Sequence, residues 1–159
     1  MSKTIKRVYI DSSAIGGKFN KRVAKQTKPF WDAVERGEII VLVSDMLERE
    51  VMDEKTPQCV KDFFDTLLEF RAVRLTAGKE ANDLARRYIE KKVVDKSSFA
   101  DCLHIAYATV AHADALVSWN LKHMVDRCDE YKSVNDALSY PKIEIITPEK
   151  FMEVSHDKK

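Results

Sequence analysis

The sequence predicts an α/β fold: a mostly parallel sheet of five strands, covered by helices on both faces. Three observations carry this. Short apolar runs of strand length recur along the chain, segments with helical spacing separate them, and only four glycines and four prolines interrupt the pattern. Strands alternating with helices imply crossover connections, and crossover connections imply parallel neighbours.

The first strand is expected at about 6–10, ending in Val8-Tyr9-Ile10, and the second at 39–43, Ile39-Ile40-Val41-Leu42-Val43. The third falls at 72–75, the fourth at 115–118 and the fifth at 143–146, each bounded by turn or capping residues. Between them, Phe30, Trp31 and Val34 recur at helical spacing, as do Phe63, Phe64, Leu67 and Leu68. Leu84, Tyr88 and Ile89 form a third such stripe, and Phe99, Leu103, Ala106, Tyr107 and Val110 a fourth. A chain of 159 residues that is 45% hydrophobic fills one core, so a single domain is expected over 1–153, with 154–159 as a flexible tail. There is no repeat, low-complexity tract or linker.

Composition excludes more than it identifies. The 27 basic and 26 acidic side chains nearly cancel, so any contact with phosphate must come from a local patch. Cys59, Cys102 and Cys128 are odd in number and contain no C-x-x-C pair, which argues against a disulfide framework or structural zinc and for reduced thiols in a cytoplasm. The start, Met1-Ser2-Lys3-Thr4-Ile5-Lys6, has no signal-peptide core, and nowhere do about 18 apolar residues run uninterrupted. A soluble cytoplasmic protein without a membrane partner is expected.

The chemistry begins at Asp11, which closes the first apolar run and is followed by Ser12, Ser13 and a Gly16-Gly17 pair read as a turn. Loops leaving the carboxyl ends of parallel strands are where such sheets keep their reactive groups. Three other positions fall into register with it: Glu50 in Ser44-Asp45-Met46-Leu47-Glu48-Arg49-Glu50, Asp101 in Ala100-Asp101-Cys102-Leu103-His104, and Asn120 in Val117-Ser118-Trp119-Asn120. Hard oxygen donors of this kind suit Mg²⁺ or Mn²⁺, which retain waters and bind through a few carboxylates plus a substrate phosphate.

These motifs, in this order and spacing, resemble the PIN domain, and within it the VapC-type toxin ribonucleases. The resemblance runs from Tyr9-Ile10-Asp11-Ser12-Ser13 through Ser44 to Val51, then Asp101 to Ala106, and finally Leu116 to Asn120. It implies a three-layer PIN-like fold with sheet order 3-2-1-4-5, a Mg²⁺ or Mn²⁺ pocket built from Asp11, Glu50, Asp101 and Asn120, and cleavage of single-stranded RNA to a 5′-phosphate and a 3′-hydroxyl. It also implies a homodimer and a small antitoxin partner. Asn120 departs from the pattern, since Asp is usual there.

Each of these residues has a structural reading beside the functional one. Asp11 is also a natural helix cap, and Ser98-Phe99-Ala100-Asp101 has the form of a capping box. Asp45, Glu48 and Glu54 surround Glu50 as ordinary solvated acids, with Glu48 the runner-up ligand, and Asn120 suits a plain turn. Asp114 precedes the fourth strand while Asn120 follows it, on the order of 15–20 Å away at the opposite sheet end, so it is excluded. His104 reads as a partly buried structural histidine, and His112 and His123 have no metal-ligand spacing. Thr109 and Cys102 lack a base and orienting partner, so nucleophilic catalysis has little support.

For RNA, the acid-free stretch Lys18, Lys21, Arg22, Lys25 and Lys28 places its first four members on one face of a single helix, with Lys122 and Arg127 as additions. Trp119 reads as core rather than as a base-stacking platform. Phe63, Phe64, Leu67, Leu68 and Phe70 exceed one core-facing stripe and are expected to supply a two-fold interface. Three functions stay open: a metal-dependent endoribonuclease, a catalytically weak PIN domain that binds RNA or protein, and a phospho-aspartate phosphatase. The last needs D-x-D after the first strand, where Ser13 stands instead.

Overall fold

The computed structural model describes residues 4–76 and 78–157. Five strands, β1 (Lys6–Ile10), β2 (Ile39–Ser44), β3 (Ala72–Leu75), β4 (Ala115–Val117) and β5 (Glu144–Ile146), form one sheet in the order β3-β2-β1-β4-β5. All four neighbouring pairs are parallel, with Val8 beside Val41 on one side of β1 and Ala115 on the other. This is the order the resemblance implies, and all five strands fall where the apolar runs place them.

Eight α-helices are present among the described residues: α1 (Ser12–Phe19), α2 (Ala24–Glu35), α3 (Asp45–Val51), α4 (Gln58–Phe70), α5 (Lys79–Glu90), α6 (Phe99–Val110), α7 (Cys128–Ala137) and α8 (Pro148–Asp157). The two-residue period of the strands splits the core in two. Val8, Ile10, Val41, Val43 and Val117 face α1 to α4 and α8, whereas Tyr9, Leu42, Leu116 and Ile145 face α5, α6 and α7. Each central strand is buried on both faces, so its sequence reads as a continuous apolar run rather than an alternating one.

Four expectations are corrected. Gly16 and Gly17 lie inside α1 rather than in a turn, because Asp11 caps the helix and starts it at Ser12. The single basic helix does not form: α1 stops at Phe19, where the Asn20 side chain accepts from the Arg22 N–H at 2.9 Å and the Asn20 carbonyl takes the N–H groups of Val23 and Ala24. An Asn that hydrogen-bonds its own backbone two residues on offers the chain a turn in place of helix. Ser98 makes no side-chain cap, since a 3-10 turn over Lys96–Ser98, itself capped by Asp95, leads directly into α6. Finally, α8 continues through 154–157, anchored by buried Phe151 and Met152, so these four residues are helical rather than tail, while Lys158 and Lys159 lie outside the described residues.

The two glycines of α1 differ in what surrounds them. A Cβ on Gly17 would stand 2.8 Å from two atoms of the Trp119 indole, whereas one on Gly16 meets nothing within 4 Å. Gly16→Ala is therefore expected to stabilise the chain by about 0.5–1 kcal/mol through helix propensity. Gly17→Ala should instead cost about 1–3 kcal/mol by overpacking. Urea denaturation of the two variants checks this, and equal midpoints would contradict it.

Candidate active site

The carboxyl ends of β1, β2 and β4 and the first turn of α6 lie together, and each delivers one polar side chain. Asp11 leaves β1 in an extended conformation and is 4% exposed. Its Oδ1 accepts from the Ala14 N–H at 3.1 Å and from the Ser13 hydroxyl at 2.7 Å, and its Oδ2 accepts from the Ser118 hydroxyl at 2.6 Å. Both hydroxyls in turn accept from the loop after β4: Trp119 N–H donates to Ser13 Oγ at 2.8 Å and Asn120 N–H to Ser118 Oγ at 2.9 Å. One buried carboxylate thus ties β1, the start of α1 and the β4 exit together. Ser13 and Ser118 stand in the motifs, but nothing in their spacing announces that they relay backbone N–H groups to Asp11.

Asn120 is fixed through its amide. Its Oδ1 accepts from the His123 N–H at 3.2 Å, and the side chain lies beside the Asp101 carboxyl, where it favours the ionised form. The Asp101 carboxyl sits in the first turn of α6, with one oxygen 3.7 Å from His123 Nδ1. Burial holds this carboxyl above its ordinary range, against the Asn120 hydrogen bond and the nearby His104 and His123 rings, while the charge of Asp11 raises it further. His123, discounted for its spacing, reaches Asp101 because the backbone turns back after Asn120, with Val125 N–H on the Asn120 carbonyl at 3.1 Å.

Glu50 comes from α3, whose N-cap is Ser44 at the end of β2. Its side chain is about one-third exposed, and its Oε1 lies 2.9 Å from Nε2 of buried His104. Glu48, the runner-up, pairs instead with Arg74, and Asp45 accepts from the Tyr107 hydroxyl at 3.0 Å. Asp114 accepts from the Arg7 N–H at the start of β1, at the opposite sheet end from Asp11, which agrees with its exclusion. Burial pushes the Cys102 thiol up to about 11, so it stays protonated at neutral pH.

The set is brought to one edge, but its charged groups are not packed together. Among the described residues no three Asp, Glu, His or Cys side chains are gathered closely enough to hold an ion between them. The donor chemistry nevertheless fits a hard divalent cation. An ionised carboxylate offers about four lone-pair sites. Asp11 uses three of them, and Glu50 keeps one oxygen without a protein hydrogen bond among the described residues.

The basic residues are spread out. Lys18 lies with its ammonium 3.9 Å over the Phe63 ring and Lys28 pairs with Asp32 at 2.8 Å, while Lys21, Arg22 and Lys25 are exposed around the α1–α2 turn. Lys122 is exposed beyond Asn120, and Arg127 bonds Glu130. Trp119 is half-buried and donates its indole N–H to Thr27 at 3.0 Å, sealing the contact over Gly17.

No protein-family model matches this chain, and no sequence among curated proteins matches it. Solved structures do. The chain is similar to the Mycobacterium tuberculosis toxin VapC20, described as cleaving the sarcin-ricin loop, at TM-score 0.57 and 10% identity over 73% of this chain and 92% of that one. It is also similar to VapBC2 of Rickettsia felis bound to a DNA fragment from its promoter, at TM-score 0.53 and 14% identity over 87% and 96%. At such identities the likeness is one of fold.

Because the Asp101 pKa is raised in the folded chain, its ionised form opposes folding. That opposition is full above the folded pKa and vanishes below the ordinary carboxylate range. Asp101→Asn is therefore expected to raise the melting temperature in EDTA at pH 8 by a few degrees, at roughly 2–4 °C per kcal/mol for a chain of this size. The gain should shrink toward zero as pH falls from above the raised Asp101 pKa to below the ordinary carboxylate range. Calorimetric scans across that range check it, and a variant less stable than wild type at pH 8 would contradict it.

Proposed function

Starting from the VapC-type PIN fold, we propose that this chain is a Mg²⁺- or Mn²⁺-dependent endoribonuclease that hydrolyses single-stranded RNA in the cytoplasm, as the toxin of a toxin-antitoxin pair. The observation that carries the reading is the convergence of Asp11, Asp101, Asn120 and Glu50 at the carboxyl ends of the central parallel strands, where open α/β sheets bind ligands.

Asp11, Glu50 and Asp101 would hold the divalent ion, directly or through water. Asn120 completes the set, directly or through water, with its amide beside the Asp101 carboxyl. When bound, such an ion lowers the pKa of a coordinated water and neutralises charge on the scissile phosphate. The chain's own contribution is positional. Ser13, Ser118 and the Ala14 N–H fix the Asp11 carboxylate, and the amide of Asn120 and ring of His123 orient Asp101. Asp101, held above its ordinary range beside Asp11, is a carboxyl whose ionisation a cation would favour. Exposed Lys21, Arg22 and Lys25 around the α1–α2 turn, with Lys122, are candidate phosphate contacts. The competing reading of a non-catalytic RNA- or protein-binding module draws on Asn120, which brings no charge to a second ion.

Asp11→Asn and Asp101→Asn are each expected to reduce Mn²⁺-dependent cleavage of a single-stranded RNA by at least 100-fold, and EDTA to abolish it in wild type. Gel assays with 5′-labelled RNA measure this. Full cleavage in EDTA, or by both variants, would overturn the nuclease reading.

A homodimer belongs to the same proposal. Most of the expected apolar surplus on α4 is absorbed within the chain: Phe64 and Leu67 are buried, and Phe63 packs edge-on against Trp31 at 4.8 Å. Phe70 stays 70% exposed and Val73, on edge strand β3, 47% exposed. Light scattering at micromolar protein is expected to give about twice the 18.3 kDa chain mass, falling to one chain for Phe70→Glu. A wild-type mass of one chain would remove the dimer.

A further inference from the structure

His104 does more than fill the core. It is 2% exposed, one helical turn beyond Asp101 on α6, and is hydrogen-bonded through both ring nitrogens. Nδ1 lies 2.7 Å from the Tyr9 hydroxyl, which lies 2.7 Å from Ser44 Oγ, and Nε2 lies 2.9 Å from Glu50 Oε1. Tyr9 and Ser44 are as fully enclosed as the imidazole, so the chain of four groups is dry until it reaches the half-open carboxylate of Glu50.

The direction of the protons follows from the two ends. Ser44 Oγ already accepts the Leu47 N–H at 3.1 Å as the N-cap of α3, and among the described residues the one hydrogen-bond neighbour left for its own hydrogen is Tyr9. Tyr9 must then spend its hydrogen on His104 Nδ1, which accepts. The imidazole proton therefore stands on Nε2 and is donated to Glu50. The opposite tautomer would set a lone pair of Nε2 against a carboxylate oxygen.

We propose that His104 is the positioning residue of Glu50, presenting a fixed Nε2–H that Tyr9 and Ser44 orient from within the core. The helix cap of α3 and the aim of its acidic side chain are one hydrogen-bonded unit: Ser44 starts the helix and, through two rings, holds the residue six positions on. A carboxylate otherwise free to sample several rotamers is kept at the edge where Asp11 and Asp101 stand. The consequence for catalysis rests on the nuclease reading; the proton arrangement does not.

Two measurements test it. Long-range ¹H–¹⁵N correlation spectra of the full chain are expected to show the His104 proton on Nε2, and Tyr9→Phe, which removes only the hydroxyl, to weaken that preference. An Nδ1–H form with no proton on Nε2 in wild type would overturn the proposal. Calorimetric titration with Mn²⁺ is expected to show about tenfold weaker binding for His104→Phe, within the 10–100-fold range seen when outer-shell partners are lost. His104→Gln, which can still donate to Glu50 and accept from Tyr9, should recover most of it. On a Glu50→Gln background His104→Phe should add nothing. Equal losses with and without Glu50, or wild-type affinity in His104→Phe, would show a merely structural histidine. Should wild type bind no Mn²⁺ and cleave no RNA, the nuclease reading falls, and the tautomer spectra alone decide the positioning claim. They decide it also if His104→Phe does not fold.

Discussion

A buried carboxylate needs donors, and much of this site follows from how Asp11 finds them. Leaving it unpaired in the core would cost several kcal/mol. It takes three hydrogen bonds, one from the first turn of α1 and two from serine hydroxyls that carry backbone N–H groups of the β4 exit. The same residue therefore caps a helix, staples the two central strands and sets where Asn120 stands. The carboxylate proposed to serve the site is also what holds this end of the sheet together, so the proposed function and stability cannot be separated at this position.

Asp101 shows the other side of that economy. Its carboxyl is held above its ordinary range by burial and by Asp11, with Asn120, His104 and His123 compensating only in part. Sites that await a charged ligand commonly retain strain of this kind, and the rest of the fold must carry it. Here the carrier is a two-sided core in which Tyr9, Leu42 and Leu116 pack on one face and Val8, Ile10 and Val117 on the other. The polar groups sit at the rim and apolar packing lies beneath them.

Much of the architecture was legible because central parallel strands advertise themselves: Val8-Tyr9-Ile10 and Ile39 to Val43 cannot be buried on both faces without being apolar throughout. Asp11, Asp101 and Asn120 were legible as positions, since each follows a strand exit or opens a helix, whereas Glu50 lies near the end of α3 and was legible through its spacing from Ser44. What stayed hidden depends on contacts between distant segments. The break at Asn20 loses to the helical periodicity of the lysines unless its side-chain turn is weighed, and the failed cap at Ser98 reflects a preceding 3-10 turn. Gly17 reads as flexible until Trp119, about a hundred residues on, occupies the space where its Cβ would be. His123 and Ser118 acquire roles only once the β4 exit folds back on β1.

That fold-back has a temporal meaning. The serine that completes the Asp11 site lies 107 residues further along the chain, and β4 pairs with β1 only after two other strands and six α-helices have been made. Long-range parallel pairing is slow to form, because loop closure precedes any reward in contacts. During synthesis the amino-terminal half thus emerges with its acidic residue uncapped by β4 and its second acid not yet delivered by α6. Ser118 can reach Asp11 only once the fourth strand has been made, so a truncated or prematurely released chain carries the motif of Asp11 without the hydroxyl that closes around it.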